Sequence, residues 1–171
     1  YLSPVYSPLS WSEIWSAALS LGTGRGRLRA NDAQLLLATR FPGFDVRLTD
    51  SGTSALTLAL QLALERVASI GTRTPLVAVP AYACPDIATA VVGAKAQLVP
   101  YDVSPASLEP DWDSARLALQ AGARVLVVAH LYGRVVDLAH AHALAAEFGA
   151  LVVEDAAQHA GGSVSGARGG S

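Results

Sequence analysis

From Val46 onward, short apolar runs alternate with longer stretches of helical spacing. Residues 76–80, 97–101, 124–130 and 151–154 are the runs, and each reads as a strand buried on both faces. Between them lie helices with recognisable ends. Asp111, just after Pro110, is placed to N-cap a helix that stops at Gly122. Asp137 is placed to cap another, with Leu138, Ala141, Ala145 and Phe148 on one face and Gly149 just past its end. Residues 53–69 are apolar nearly all round, which predicts a central, buried helix. This alternation predicts an α/β fold, a mostly parallel sheet with right-handed crossovers and helices on both faces. In such sheets ligands bind beyond the carboxyl ends of the strands.

The first 45 residues form a separate region, expected as an extended arm around Pro4 and Pro8 followed by a helix at 11–19. Gly22-Thr23-Gly24-Arg25-Gly26 follows that helix and leads into no clear helical pattern, so it reads as a loop and not as a dinucleotide-binding turn. Residues 46–171 form the second region.

Composition narrows the classes. With 51% hydrophobic and 15% charged residues the chain can build a core and is not disordered. One cysteine, Cys84, excludes a disulfide scaffold and reads as a small buried thiol. A net charge of −2 leaves no basic footprint for nucleic acid. The longest apolar stretch, residues 55–64, is broken by Thr57 and Gln61 and is too short to span a bilayer. These features predict a cytoplasmic protein with neither nucleic-acid nor membrane partners. Of 12 basic residues only Lys95 is lysine.

Three places carry candidate chemistry. Asp50-Ser51-Gly52-Thr53-Ser54 opens the 53–69 helix. Its glycine allows close backbone approach, and its hydroxyls lie beside unsatisfied N–H groups, so it reads as either a phosphate site or an ordinary cap. Glu154-Asp155-Ala156-Ala157-Gln158 ends the last strand. Two adjacent acids there need a partner, and strand alternation lets only one face a ligand crevice. The reading is a carboxylate aimed at a protonated heteroaromatic nitrogen, or a cap or salt bridge. No cluster of partner ligands suggests a metal. His130 ends a strand too, while His140 and His142 are expected at a helix surface or in packing.

From about Asp50 to the end, these motifs resemble the DegT–StrS family of pyridoxal-phosphate-dependent sugar aminotransferases, with the aspartate-aminotransferase-type fold. The resemblance rests on Ser51-Gly52-Thr53-Ser54-Ala55-Leu56, Pro80-Ala81-Tyr82-Ala83-Cys84, Gly93-Ala94-Lys95, Val99-Pro100-Tyr101-Asp102, His130-Leu131-Tyr132-Gly133 and the Glu154 to Gln158 run. It implies that Gly52, Thr53 and Ser54 hold the phosphate of pyridoxal 5′-phosphate. Asp155 would pair with the pyridine nitrogen, Gln158 would lie near the phenolic oxygen, and His130 would support the site. Where many members carry an aromatic residue that stacks on the ring, this chain has Cys84, with Tyr82 nearby as a second candidate. The family often continues Gln-Ala-His-Gly, whereas this chain reads Gln158-His159-Ala160-Gly161.

The resemblance implies transfer of an amino group, from glutamate, to a nucleotide-linked keto-sugar, in a homodimer. The family's Schiff-base lysine falls beyond Ser171. Lys95 precedes the 97–101 strand, so five residues place it roughly 16 Å from the ligand edge and exclude it from that role. The chain is therefore expected to be an N-terminal fragment, with part of its apolar surface intended for the remaining domain and a second subunit. The alternative is a non-catalytic regulatory member that binds pyridoxal phosphate or a nucleotide-sugar.

Overall fold

The computed structural model describes residues 10–21, 25–67 and 74–159, and the short strands at 163–164 and 167–168. The proline arm, residues 22–24 and residues 68–69 lie outside the described residues. The chain divides into two compact units, residues 1–48 and 49–171.

In the first unit, helix α1 (Trp11–Leu21) begins with a capping box. The Ser10 N–H donates to Glu13 Oε2 at 2.6 Å, and the Glu13 N–H donates back to Ser10 Oγ at 3.3 Å. Helix α2 (Arg25–Arg40) corrects the expectation that the glycine stretch leads into no helix. Its polar sequence, with Gly26 near the start, lacks a clean apolar stripe, so periodicity did not reveal it. Gln34 Nε2 donates to the Val46 carbonyl at 2.8 Å, fastening the following extended segment, where residues 45–49 form no strand.

The second unit contains helix α3 (Gly52–Val67), strand β1 (Leu76–Pro80), helix α4 (Pro85–Gly93), strand β2 (Gln97–Tyr101) and helix α5 (Trp112–Gln120). It continues with strand β3 (Val125–Ala129), helix α6 (Leu138–Glu147) and strand β4 (Leu151–Asp155). Strands β5 (Ser163–Val164) and β6 (Ala167–Arg168) make a small antiparallel ribbon. The main sheet is wholly parallel in the order β2-β1-β3-β4. The predicted caps form: the Ser114 N–H donates to Asp111 at 3.0 Å, and the Ala139 N–H to Asp137 at 2.9 Å. Gly149 follows α6 at φ +61°, the left-handed conformation that glycine adopts at no steric cost.

Strand parity sorts the core. Val77, Val79, Val125, Val127, Ala129 and Val153 face α3 and α4, where they meet Leu60, Leu64, Ile87 and Val91. Ala78, Leu126 and Val128 face α5 and α6, where they meet Ala115, Leu119, Ala141 and Leu144. Each fully buried aliphatic side chain contributes about 1.5–3 kcal/mol. Helix α4, missing from the sequence reading, starts at Pro85, whose lost N–H costs nothing at that position. It ends at Gly93, where a Cβ would lie 3.2 Å from the Thr57 side chain, so the glycine permits close approach to α3.

Helix α3 corrects a second expectation. Its buried residues are Leu60, Ala63 and Leu64, while Leu62 is 51% exposed. A helix apolar all round need not be covered all round by the residues described here.

Candidate functional site

The strand order itself creates a crevice. The chain leaves β1 for β2 on one side and then returns across β1 to place β3 on the other. The carboxyl ends of β1 and β3 are therefore a topological switch point, where connections diverge and leave room for a ligand. A cleft of about 620 Å³ opens there, within the usual range for small-molecule sites. Its walls come from the start of α3, the segment after β1, the end of β3 and the end of β4.

Six of the eight residues singled out in the sequence line this cleft: Gly52, Thr53, Cys84, His130, Asp155 and Gln158. At the first wall, Ser51 is the cap of α3. Its hydroxyl accepts the Ser54 N–H at 3.1 Å and donates to Ser54 Oγ at 3.0 Å, so Ser54 lies within the cap and not on the cleft wall. The carboxyl of Asp50 is held below its ordinary range chiefly by a hydrogen bond from the Ser54 side chain. The Gly52 and Thr53 N–H groups have no acceptor among the described residues, and a Cβ on Gly52 would meet nothing within 4 Å. Two open donors at the positive end of a helix dipole suit an anion.

At the opposite wall both acids border the cleft, against the expectation that strand alternation lets only one face it, and they meet different partners. Asp155 shares the parity of Leu151 and Val153, which pack towards α3. Its Oδ1 accepts the Ala157 N–H at 3.1 Å, and Oδ2 has no partner among the described residues. Glu154 shares the parity of Val152, on the α5 and α6 side, and its Oε1 lies 2.6 Å from His130 Nε2. The His130 ring, 2% exposed, accepts the Val136 N–H on Nδ1 at 3.1 Å. Its proton is therefore on Nε2, donated to Glu154, and both ring nitrogens are engaged.

Gln158 is oriented from outside the motif. Its Oε1 accepts the Tyr132 N–H at 2.5 Å, which turns its NH₂ group away from that contact with no acceptor among the described residues. Tyr132 has φ +53° and ψ 30°, a left-handed conformation that costs a bulky residue about 1–2 kcal/mol. Its hydroxyl meets the Tyr82 hydroxyl at 2.6 Å, at the exposed surface beside the cleft. Tyr82 is thus engaged with Tyr132 and is not on the cleft wall, while Cys84 is. The expectation of a buried thiol is corrected: Cys84 is exposed, because it precedes Pro85 at the start of α4 and points no side chain into the core.

Sequence reasoning gave Tyr132 no role. The only local signal was Gly133 after it, since backbone strain depends on contacts 26 residues away. His159 stands edge-on to His130, with ring centres 6.2 Å apart, and its buried Nε2 has no partner among the described residues. His140 and His142 are exposed on α6, with His140 stacked on Trp112 at 4.5 Å. Lys95 sits just before β2, at the amino end of the sheet and away from the cleft.

Over 108 residues the chain is 32% identical to the L-glutamine:2-deoxy-scyllo-inosose aminotransferase of Streptomyces kanamyceticus, covering 63% of this chain and 24% of that protein. Its fold resembles AtS13 of Actinomadura melliaura with a TM-score of 0.72 at 27% identity, over 84% of this chain and 39% of that one. It also resembles NtdA of Bacillus subtilis, solved with bound cofactor PMP, with a TM-score of 0.65 at 27% identity, over 75% and 28% of the two chains. The chain spans about a quarter of the length of the Streptomyces relative. Residues 46–171 match the sequence model of the DegT/DnrJ/EryC1/StrS aminotransferase family, and the chain belongs to that family.

Proposed function

We propose that this chain contributes the cofactor-binding wall of a pyridoxal-phosphate-dependent aminotransferase that delivers an amino group, from an amino acid such as glutamate, to a nucleotide-linked keto-sugar. One observation carries the reading. A single cleft opposes two open N–H donors, at Gly52 and Thr53, to a carboxylate with a free oxygen, at Asp155. Those groups fit a ligand with a phosphate at one end and a protonated ring nitrogen at the other.

When bound, pyridoxal phosphate would supply a protonated ring that acts as an electron sink for the reacting substrate carbon. The chain's residues do the rest of the work at this wall. Gly52 and Thr53 hold the phosphate by backbone N–H groups and the Thr53 hydroxyl. Asp155 would keep the proton on the ring nitrogen by accepting a charge-assisted hydrogen bond from it on its free oxygen. The Gln158 NH₂ group would donate to the phenolic oxygen, and Cys84, on the cleft wall, would border the ring. Both His130 ring nitrogens are engaged within the chain, and the ring holds the Glu154 carboxylate at the cleft wall. Lys95, on the far edge of the sheet, takes no part, so the amine that anchors the cofactor comes from outside residues 1–171. A homodimer, which would cover the exposed face of α3, completes the proposal.

Pyridoxamine 5′-phosphate tests this directly, because its amine cannot condense with a lysine. Equilibrium dialysis should show saturable binding to the chain, weakened about ten-fold or more by Asp155→Ala, the scale of a lost charge-assisted hydrogen bond. Equal binding by both proteins would remove Asp155 from the site.

A further inference from the structure

We infer that the hydroxyl pair of Tyr82 and Tyr132 is a positioning latch for the Gln158 carboxamide, so that Tyr82 acts on the ligand's phenolic oxygen without touching it. The inference rests on the cofactor reading above.

The chain of contacts is short. The Tyr82 hydroxyl, on the segment after β1, meets the Tyr132 hydroxyl, on the segment after β3, at 2.6 Å. The Tyr132 N–H in turn donates to Gln158 Oε1, on the segment after β4. Two hydrogen bonds thus join the three segments that follow β1, β3 and β4 at the cleft. Tyr132 is the one non-glycine residue of left-handed backbone beside the cleft; Lys95 and Leu108 are elsewhere. A strained residue keeps its conformation only when its surroundings hold it there. The Tyr82 hydroxyl holds it from the side-chain end and Gln158 from the backbone end.

The consequence concerns which end of an amide faces the ligand. Gln158 has an acceptor and a donor of nearly the same shape, and turning it over would offer oxygen where the ligand presents its own oxygen. A backbone N–H cannot act as acceptor, so its grip on Oε1 decides the orientation and leaves NH₂ for the phenolic oxygen. Releasing Tyr132 lets that N–H drift and the amide turn. Tyr82 is 55% exposed and Tyr132 59% exposed, so removing either hydroxyl leaves the core untouched.

The test compares two ligands on the same proteins, with dissociation constants measured by titration calorimetry. For pyridoxamine 5′-phosphate, Tyr82→Phe and Tyr132→Phe should each weaken binding by about three- to ten-fold, the range of one lost hydrogen bond. For the 3-deoxy analogue, which lacks the phenolic oxygen, both variants should bind as the unchanged chain does. Equal weakening for both ligands would overturn the inference and make the pair a structural tie. No weakening for either ligand would overturn it as well. Failure of the unchanged chain to bind pyridoxamine 5′-phosphate would instead overturn the cofactor reading, and this inference with it.

Discussion

At the scale of single residues, one step along a strand decides which partner a carboxylate meets. Asp155 and Glu154 are neighbours that both border the cleft, yet the first keeps Oδ2 without a partner among the described residues and the second meets His130 at 2.6 Å. Tyr101 shows the same economy in the core. It is 1% exposed, burial pushes its phenol far above the usual range, and its hydroxyl donates to the Val127 carbonyl at 2.8 Å. The bond reaches from edge strand β2 past β1 to β3. Tyr101→Phe should therefore cost about 0.5–1.5 kcal/mol, read as a lower urea midpoint with an unchanged slope. An unaltered midpoint would mean that the hydroxyl contributes nothing to the sheet. That the Glu154–Gln158 run sits at the carboxyl end of the last strand was legible in the sequence, because it adjoins an apolar run, but the residues themselves did not choose between Glu154 and Asp155. The exposure of Cys84 was not, since it depends on how the β1–α4 joint turns. Nor was the part played by Tyr132, whose partners come from distant segments.

At the scale of elements, the N-terminus of α3 separates stability from binding. Ser51 already caps the helix through the Ser54 N–H, so the fold does not need Gly52 for that purpose. Gly52 is not in a left-handed conformation, and a Cβ there meets no neighbour within 4 Å. Gly52→Ala should leave thermal stability unchanged or raise it by up to about 1 kcal/mol, through a less flexible unfolded chain. It should also weaken phosphate-ligand binding, because the methyl group occupies the approach to the open N–H groups. A variant that loses stability and keeps binding would contradict the assignment of this helix end. The four strands and the capped helices α5 and α6 were readable because their apolar periods and Asp caps agree. Helix α4 was overlooked despite Pro85 and Gly93, and α2 lacks an apolar stripe altogether. The period that revealed α3 overstated its burial, because periodicity reports which residues are apolar and not what covers them.

At the scale of the whole molecule, one topological fact organises the rest. The crossing from β2 back to β3 opens the crevice at the carboxyl edge, and every cleft residue belongs to the unit spanning residues 49–171. The alternation of strands and helices already implied a parallel sheet with ligands at that edge, but strand order was invisible in it. No helix among the described residues is long and apolar enough to cross a membrane. The chain's single lysine lies at the amino edge, so the cleft and that amine occupy opposite ends of the sheet. The most direct test is a backbone amide map of the 171-residue chain, recorded by ¹⁵N-resolved NMR during titration with pyridoxamine 5′-phosphate. The account predicts saturable shifts centred on Gly52, Thr53, Asp155 and Gln158, with Lys95 and its neighbours unmoved. Shifts centred on the Lys95 edge, or none at all, would contradict it.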